Sequence, residues 1–293
     1  MCRVVGSPGN KVHFFLVASH LVPLRLCESR SEADSKPNGQ LQKAGKVDHR
    51  EPTRKFLFLR VLLLLLYFHV ICDDVYNIFS FFFVAVPEPV AFYPLNAHYK
   101  ARDKENRQPE GILGDVAITN GPYNEPGGAY MFYGTVSSYI KLPNDGGLDT
   151  QFSITLMCWV QLGGQDGPLF SYGDWGVRMQ IVDGKFFNEI VKRSSQTLTS
   201  TKTAEILPVG KWVHVAASYD HSTGINSLYI NGHFSISQNI GKGYQIATKS
   251  HTVRMGFKDC KDTTYFKGRI AEMKVYDVAL NKAQIQTLIM QGS

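Results

Sequence analysis

Trp212-Val213-His214-Val215-Ala216-Ala217-Ser218-Tyr219-Asp220 is the stretch that decides the fold. Val213, Val215 and Ala217 alternate with His214, Ala216 and Ser218, the period of two expected of a strand with one face in a core. Ser222-Thr223-Gly224 then turns the chain into Leu228-Tyr229-Ile230, and Asn231-Gly232 follows. Asn-Gly is a strong hairpin signal, because a two-residue I′ turn needs positive φ at both central positions. A third piece, Phe266-Lys267-Gly268-Arg269-Ile270-Ala271-Glu272-Met273-Lys274-Val275-Tyr276, has the same strand character. Trp212 follows Pro208-Val209-Gly210, which offers its indole to the core, and His214 reads as a cross-strand hydrogen-bonding residue rather than a ligand or base.

The same texture extends back to residue 88. Phe152–Val160 sets Phe152, Ile154, Leu156, Cys158 and Val160 on one face and Ser153, Thr155, Met157 and Trp159 on the other, and Val182-Asp183-Gly184-Lys185 gives a second hairpin. Only Ala283–Met290 has helical spacing, with Asn281 as its N-cap. Many short strands between frequent turns predict an all-β, two-sheet antiparallel jelly-roll sandwich over residues 88–293.

Two segments precede it. Residues 1–55 are polar, irregular and rich in Ser, Pro, Asn and Gly, and are expected to be a disordered leader or a gene-model extension. Residues 56–86 are strongly apolar, with Val61–Cys72 free of charge and Arg50, Arg54, Lys55 and Arg60 before or at its start. That pattern reads as a cleaved signal peptide or a signal anchor, placing the following domain outside the cell. The seventeen residues of Phe56–Cys72 lie at the short end of the roughly 17–25 that span a bilayer.

The formal charge of +6 comes from the N-terminal segment. Residues 1–60 hold eleven Lys/Arg against five Asp/Glu, and residues 61–293 hold twenty of each. The domain therefore carries no net electrostatic case for nucleic acid, and membrane contact is expected only through residues 56–86. Cys158, inside an apolar strand, is either a buried free thiol or the partner of Cys260 in a disulfide, which requires Cα atoms about 6 Å apart.

Three blocks carry a family resemblance: Phe152-Ser153-Ile154-Thr155 to Trp159-Val160; Trp212–Ala216 through Gly224 to Asn231-Gly232; and Phe266–Ile270 followed by Val275-Tyr276-Asp277-Val278-Ala279-Leu280. The chain resembles the LamG-like jellyroll domains of the concanavalin A-like lectin/glucanase superfamily, with laminin G and pentraxin domains more distant. That resemblance implies two curved sheets packed face to face in an extracellular protein. It also implies a structural Ca²⁺, for which Asp115, Asn120, Glu272, Asp259 and Asp262 are the oxygen ligands to consider.

Glycoside hydrolases of that superfamily place carboxylates as E-x-D-x-x-E on one strand, and the chain lacks the pattern; Glu189, Glu205 and Glu272 have no second acid two residues away. No G-x-S-x-G, H-E-x-x-H or P-loop occurs. The reading is a non-catalytic binding or adhesion module for a glycan or matrix protein, with a ligand-free matrix spacer as the alternative. For stacking on a sugar, the loop Tyr172-Gly173-Asp174-Trp175 offers Tyr172, Asp174 and Trp175. No N-x-Ser/Thr sequon is present.

Overall fold

A computed structural model describes residues 84–173, 175–249, 252–257 and 264–291. The predicted leader (1–55) and all but the last three residues of the apolar segment (56–86) lie outside them, as do Asp174, Asp259, Cys260 and Asp262. Among the described residues, no helix is long and apolar enough to cross a membrane.

Among the described residues, fifteen strands form two antiparallel sheets. In chain order they are β1 (Ala91–Tyr93), β2 (Ile112–Leu113), β3 (Val116–Thr119), β4 (Ala129–Tyr133), β5 (Ile140–Leu142), β6 (Ile154–Gln165), β7 (Gly167–Tyr172) and β8 (Arg178–Val182). The second half holds β9 (Lys185–Val191), β10 (Leu198–Lys202), β11 (Trp212–Asp220), β12 (Ile225–Ile230), β13 (His233–Asn239), β14 (Val253–Met255) and β15 (Lys267–Tyr276). An eight-stranded sheet runs β13-β12-β11-β6-β15-β4-β3, with β1 also on β15, and a seven-stranded sheet runs β10-β9-β8-β7-β14-β5-β2. The sandwich predicted from alternation is the one observed.

Both predicted hairpins close as expected. Asp183-Gly184 and Asn231-Gly232 each have positive φ at both residues, joining β8 to β9 and β12 to β13. Between the sheets, Ile154, Leu156, Cys158 and Val160 of β6 and Val213, Val215 and Ala217 of β11 meet Phe170, Met179, Ile181 and Phe186 from the opposite sheet. Each fully buried side chain of this kind contributes about 1.5–3 kcal/mol. Cys158 is a free thiol inside this core, and Cys260, its partner in the disulfide reading, lies outside the described residues; burial pushes the Cys158 pKa well up.

Strand β15 breaks the simple alternation. Ile270, Met273 and Val275 all enter the core, a spacing of three and then two. A bulge between Ala271 and Lys274 absorbs the extra residue, with Glu272 at φ 53°. Beyond it, Lys274 and Tyr276 face outward alongside Ala271, in register with Met157 and Thr155 of β6.

A helix, α1 (Lys282–Gln291), covers part of the outer face of the eight-stranded sheet. The amide of Gln284 donates to Asn281 Oδ1 (3.0 Å) and the amide of Asn281 donates to Gln284 Oε1 (3.0 Å), a reciprocal capping box. Ile285 and Leu288 pack on Met157, Ala216, Tyr229 and Tyr276. Its lead-in is held by Thr155, whose hydroxyl donates to the Val278 carbonyl (2.8 Å) and accepts from the Leu280 amide (2.9 Å).

Candidate functional site

The outer face of the eight-stranded sheet is only partly covered by α1, and a cavity of about 600 Å³ opens beside the helix. Its position follows from how the 94–107 loop is tied down. Asp103 is fully buried and accepts from the amides of Phe92 (2.7 Å) and Arg107 (2.7 Å). The Lys104 amide donates to the Phe92 carbonyl (2.7 Å), and Asn96 Oδ1 accepts from the Tyr99 amide (2.9 Å). These bonds place Tyr99, Lys104, Glu105 and Arg107 around the mouth of the cavity.

Phe92, Glu272, Lys274 and Tyr276 line the cavity from the sheet side. Lys274 Nζ stands 4.6 Å from the centre of the Phe92 ring and Lys104 Nζ 5.5 Å from it, so two cations share one π-face system. Lys274 Nζ also donates to Glu272 Oε2 at 3.4 Å, a long contact. Burial pushes the Lys274 ammonium below its ordinary range against the pull of Glu272, and burial raises the Glu272 carboxyl, with Glu125 adding to the rise. Tyr276 is fully buried and its hydroxyl has no hydrogen-bond partner. The lining thus alternates cations (Lys104, Arg107, Lys274) with acids (Glu88, Glu105, Glu125, Glu272) around an aromatic ring.

Beside the cavity runs an aromatic row. Tyr123 meets Trp159 edge-on at 5.6 Å, and Trp159 meets His214 edge-on at 5.3 Å. His214 is buried; its amide donates to Asn231 Oδ1 (2.9 Å) while ring Nδ1 has no partner. The expected cross-strand hydrogen bond from its side chain is therefore replaced by aromatic packing. Burial, helped by the nearby Lys274 charge, lowers its pKa from 6.5 to about 3.

That shift fixes a pH dependence. The folded chain keeps His214 neutral, whereas the unfolded chain takes up a proton below about pH 6.5. Stability therefore falls with pH between about 6.5 and about 3, by about 1.4 kcal/mol per unit from this group. At pH 5 the loss is about 2 kcal/mol. Chemical denaturation at pH 7.5 and pH 5 is expected to show this difference in wild type and a smaller one in His214→Leu; equal pH slopes in the two chains would refute the assignment.

Most residues singled out from sequence fall elsewhere. Tyr172 is fully buried, its hydroxyl donating to the Leu148 carbonyl (2.9 Å) and its ring against Phe170 at 5.6 Å, so it is a core residue and cannot stack on a ligand. Trp175 is 54% exposed. Trp212, expected in the core, lies half-buried on the outer face, in register with Gln161; the strand's inward parity starts one residue later, at Val213. Asp115 and Asn120 are exposed, whereas Glu272 lies in the cavity bonded to Lys274. Among the described residues no three His, Cys, Asp or Glu side chains converge as a metal set; Asp259 and Asp262, the other two acids of the implied set, lie outside the described residues.

Phe92, Lys104 and Lys274 were not singled out as site residues from sequence. One signal was available: Lys274 is a lysine between Met273 and Val275, both core residues.

The fold and this ligand-sized outer-face cavity define a jelly-roll sandwich of the lectin type. The family model of the concanavalin A-like lectin/glucanases superfamily, in its laminin G form, matches residues 134–286, more than half of the chain, and the protein belongs to that family. No curated protein matches it. Among solved structures, the binding domain of Paraclostridial Mosquitocidal Protein 1 matches with TM-score 0.57 and 16% identity, over 70% of this chain and 52% of that one. Domain 4 of a GH43 extracellular arabinanase from Geobacillus stearothermophilus, solved with arabinotriose, matches with TM-score 0.54 and 22% identity, over 70% and 99% respectively. The ligand-binding domain of Botulinum neurotoxin serotype D, solved with N-acetylneuraminic acid, matches with TM-score 0.55 and 15% identity, over 70% and 51%. The chain thus spans about half the length of the toxin domains it matches and nearly all of the arabinanase domain.

Proposed function

We propose that this chain is a non-catalytic, extracellular glycan-binding module whose ligand enters the Phe92–Lys274 cavity. The observation that carries the reading is the lining itself. A sugar hydroxyl both donates and accepts, so a wall that alternates ammonium and carboxylate groups satisfies successive hydroxyls. A ring such as Phe92 suits the apolar face of a pyranose or furanose. The solved relatives support the class, since one was determined with arabinotriose and another with N-acetylneuraminic acid.

Glu272 has Lys274 as its partner, which favours holding a ligand over proton transfer to a leaving group. Calcium stays outside this reading, because the cavity acids interleave with cations.

Titration calorimetry of the full chain against arabinotriose, cellotriose and lactose tests the proposal, with a wider glycan array behind it. At least one saccharide is expected to bind, and Phe92→Ala and Lys274→Met should each weaken it about tenfold or more, the scale of a charged hydrogen bond. A blank array, affinity unchanged in both variants, or hydrolysis of the bound saccharide would each overturn it. A blank array from a chain that captures a matrix protein would favour the spacer or adhesion reading instead.

A further inference from the structure

We infer that the same sheet carries a second site, separate from the cavity, for a carboxylate-bearing saccharide, centred on Arg269. On β15, Arg269 pairs with Met131 of β4 on one side and Gln161 of β6 on the other, and Gln161 in turn pairs with Trp212 of β11. One step along the sheet, Ala271 pairs with Trp159, against which Tyr123 stands. One step the other way, Lys267 pairs with Tyr133. Tyr123 and Tyr133 are 44% and 45% exposed, and Trp159 and Trp212 are half-buried. Register therefore places Arg269 among four partly exposed aromatic residues on the outer face of the sheet.

Its chemistry is unsatisfied. Arg269 Nε is buried without a partner, and the side chain makes no hydrogen bond or ion pair among the described residues. Two other arginines differ: Arg178 of β8 has Glu189, and Arg193, just past β9, has Asp149. Gln161 Nε2 is committed to the Gly210 carbonyl (3.0 Å), so it does not fill the gap. A guanidinium presents a planar fork that matches a carboxylate with two parallel hydrogen bonds. The flanking aromatic rings offer faces for the C–H side of a sugar. The ligand that uses both is an acidic saccharide, a uronate or a sialate. An acidic peptide would use the arginine alone.

The full chain is titrated with 3′-sialyllactose and trigalacturonic acid, with lactose and maltotriose as uncharged counterparts and tetraglutamate as the peptide arm. At least one acidic saccharide is expected to bind at least tenfold more tightly than its neutral counterpart. Arg269→Gln should remove that preference, and Lys242→Gln, an equal charge change at an exposed position, should leave it intact; thermal melts confirm that both variants fold. The two acidic probes separate a sialate from a uronate site. The inference is overturned if neither acidic saccharide outbinds its neutral counterpart, if Arg269→Gln keeps the preference, or if tetraglutamate binds as well. The cavity and this strip share no residue, so binding lost only in Phe92→Ala and Lys274→Met tests the first proposal and not this one.

Discussion

Gly268→Ala is expected to destabilise the sandwich by roughly 3–5 kcal/mol, the sum of a strained backbone and an overpacked contact. Gly268 lies in β15 between Phe132 of β4 and Leu162 of β6, with φ at +151°. A methyl group there would fall on the Gln161 carbonyl oxygen, 2.7 Å from the Phe266 ring and 3.1 Å from the Gly163 amide nitrogen. The carbonyl and amide are backbone, so they give way only if β6 moves. The pairing of β15 with β6 already shifts register between Lys267 and Gly268, and the glycine is what lets the two strands approach there. Gly210→Ala is the control: it too has positive φ, +74°, but nothing lies within 4 Å of its added Cβ. Its cost should stay near 1–2 kcal/mol, the backbone term alone. In thermal melts, about 2–4 °C per kcal/mol for a domain of this size predicts a drop of roughly 10 °C for Gly268→Ala and a few degrees for Gly210→Ala. Equal drops would mean that close approach is not what Gly268 provides.

The same strand shows what the sequence could and could not disclose. Alternation in 212–220, the Asp-Gly and Asn-Gly turns and the Asn281 cap were legible because each is a local consequence of side-chain chemistry. Short strands and edge strands were harder to read, among them β2, β10, β13 and β14. β2 and β14 have two and three residues, too short for a period to register, and β10 and β13 are edge strands with largely exposed, polar residues. Tyr172 looked available for stacking because it precedes a Gly-rich loop, yet strand parity turns it into the core. The cavity was hidden for a different reason. Phe92, Lys104 and Lys274 come together through the β1–β15 pairing and the buried Asp103 carboxylate, contacts separated by many residues. Glu272, which the family resemblance marked as a metal ligand, contacts Lys274 two residues on, beside the bulge.

Arg178→Met is expected to cost about 3–5 kcal/mol, because it leaves the Glu189 carboxylate buried without its cation. The two residues face each other across β8 and β9, with Arg178 Nη2 2.5 Å from Glu189 Oε1 and only 10% and 11% of the side chains exposed. Neither Arg178 Nε nor Glu189 Oε1 has a hydrogen-bond partner, so the two side chains are held together as an ion pair. Removing both charges should behave differently from removing one: Arg178→Met with Glu189→Leu replaces the pair by apolar groups of similar volume, a change that is often neutral or stabilising. The double variant should therefore recover most of the loss, a coupling of about 3 kcal/mol in urea denaturation. If the double variant is as unstable as the single one, the pair contributes through packing rather than charge. The pair also bears on function. Glu189 was one of three glutamates weighed as a catalytic acid, and in the fold its carboxylate is spent on Arg178 within the seven-stranded sheet. Its loss should reach ligand binding at the eight-stranded sheet only through stability, so saccharide affinity measured at a temperature where Arg178→Met remains folded is expected to equal that of wild type.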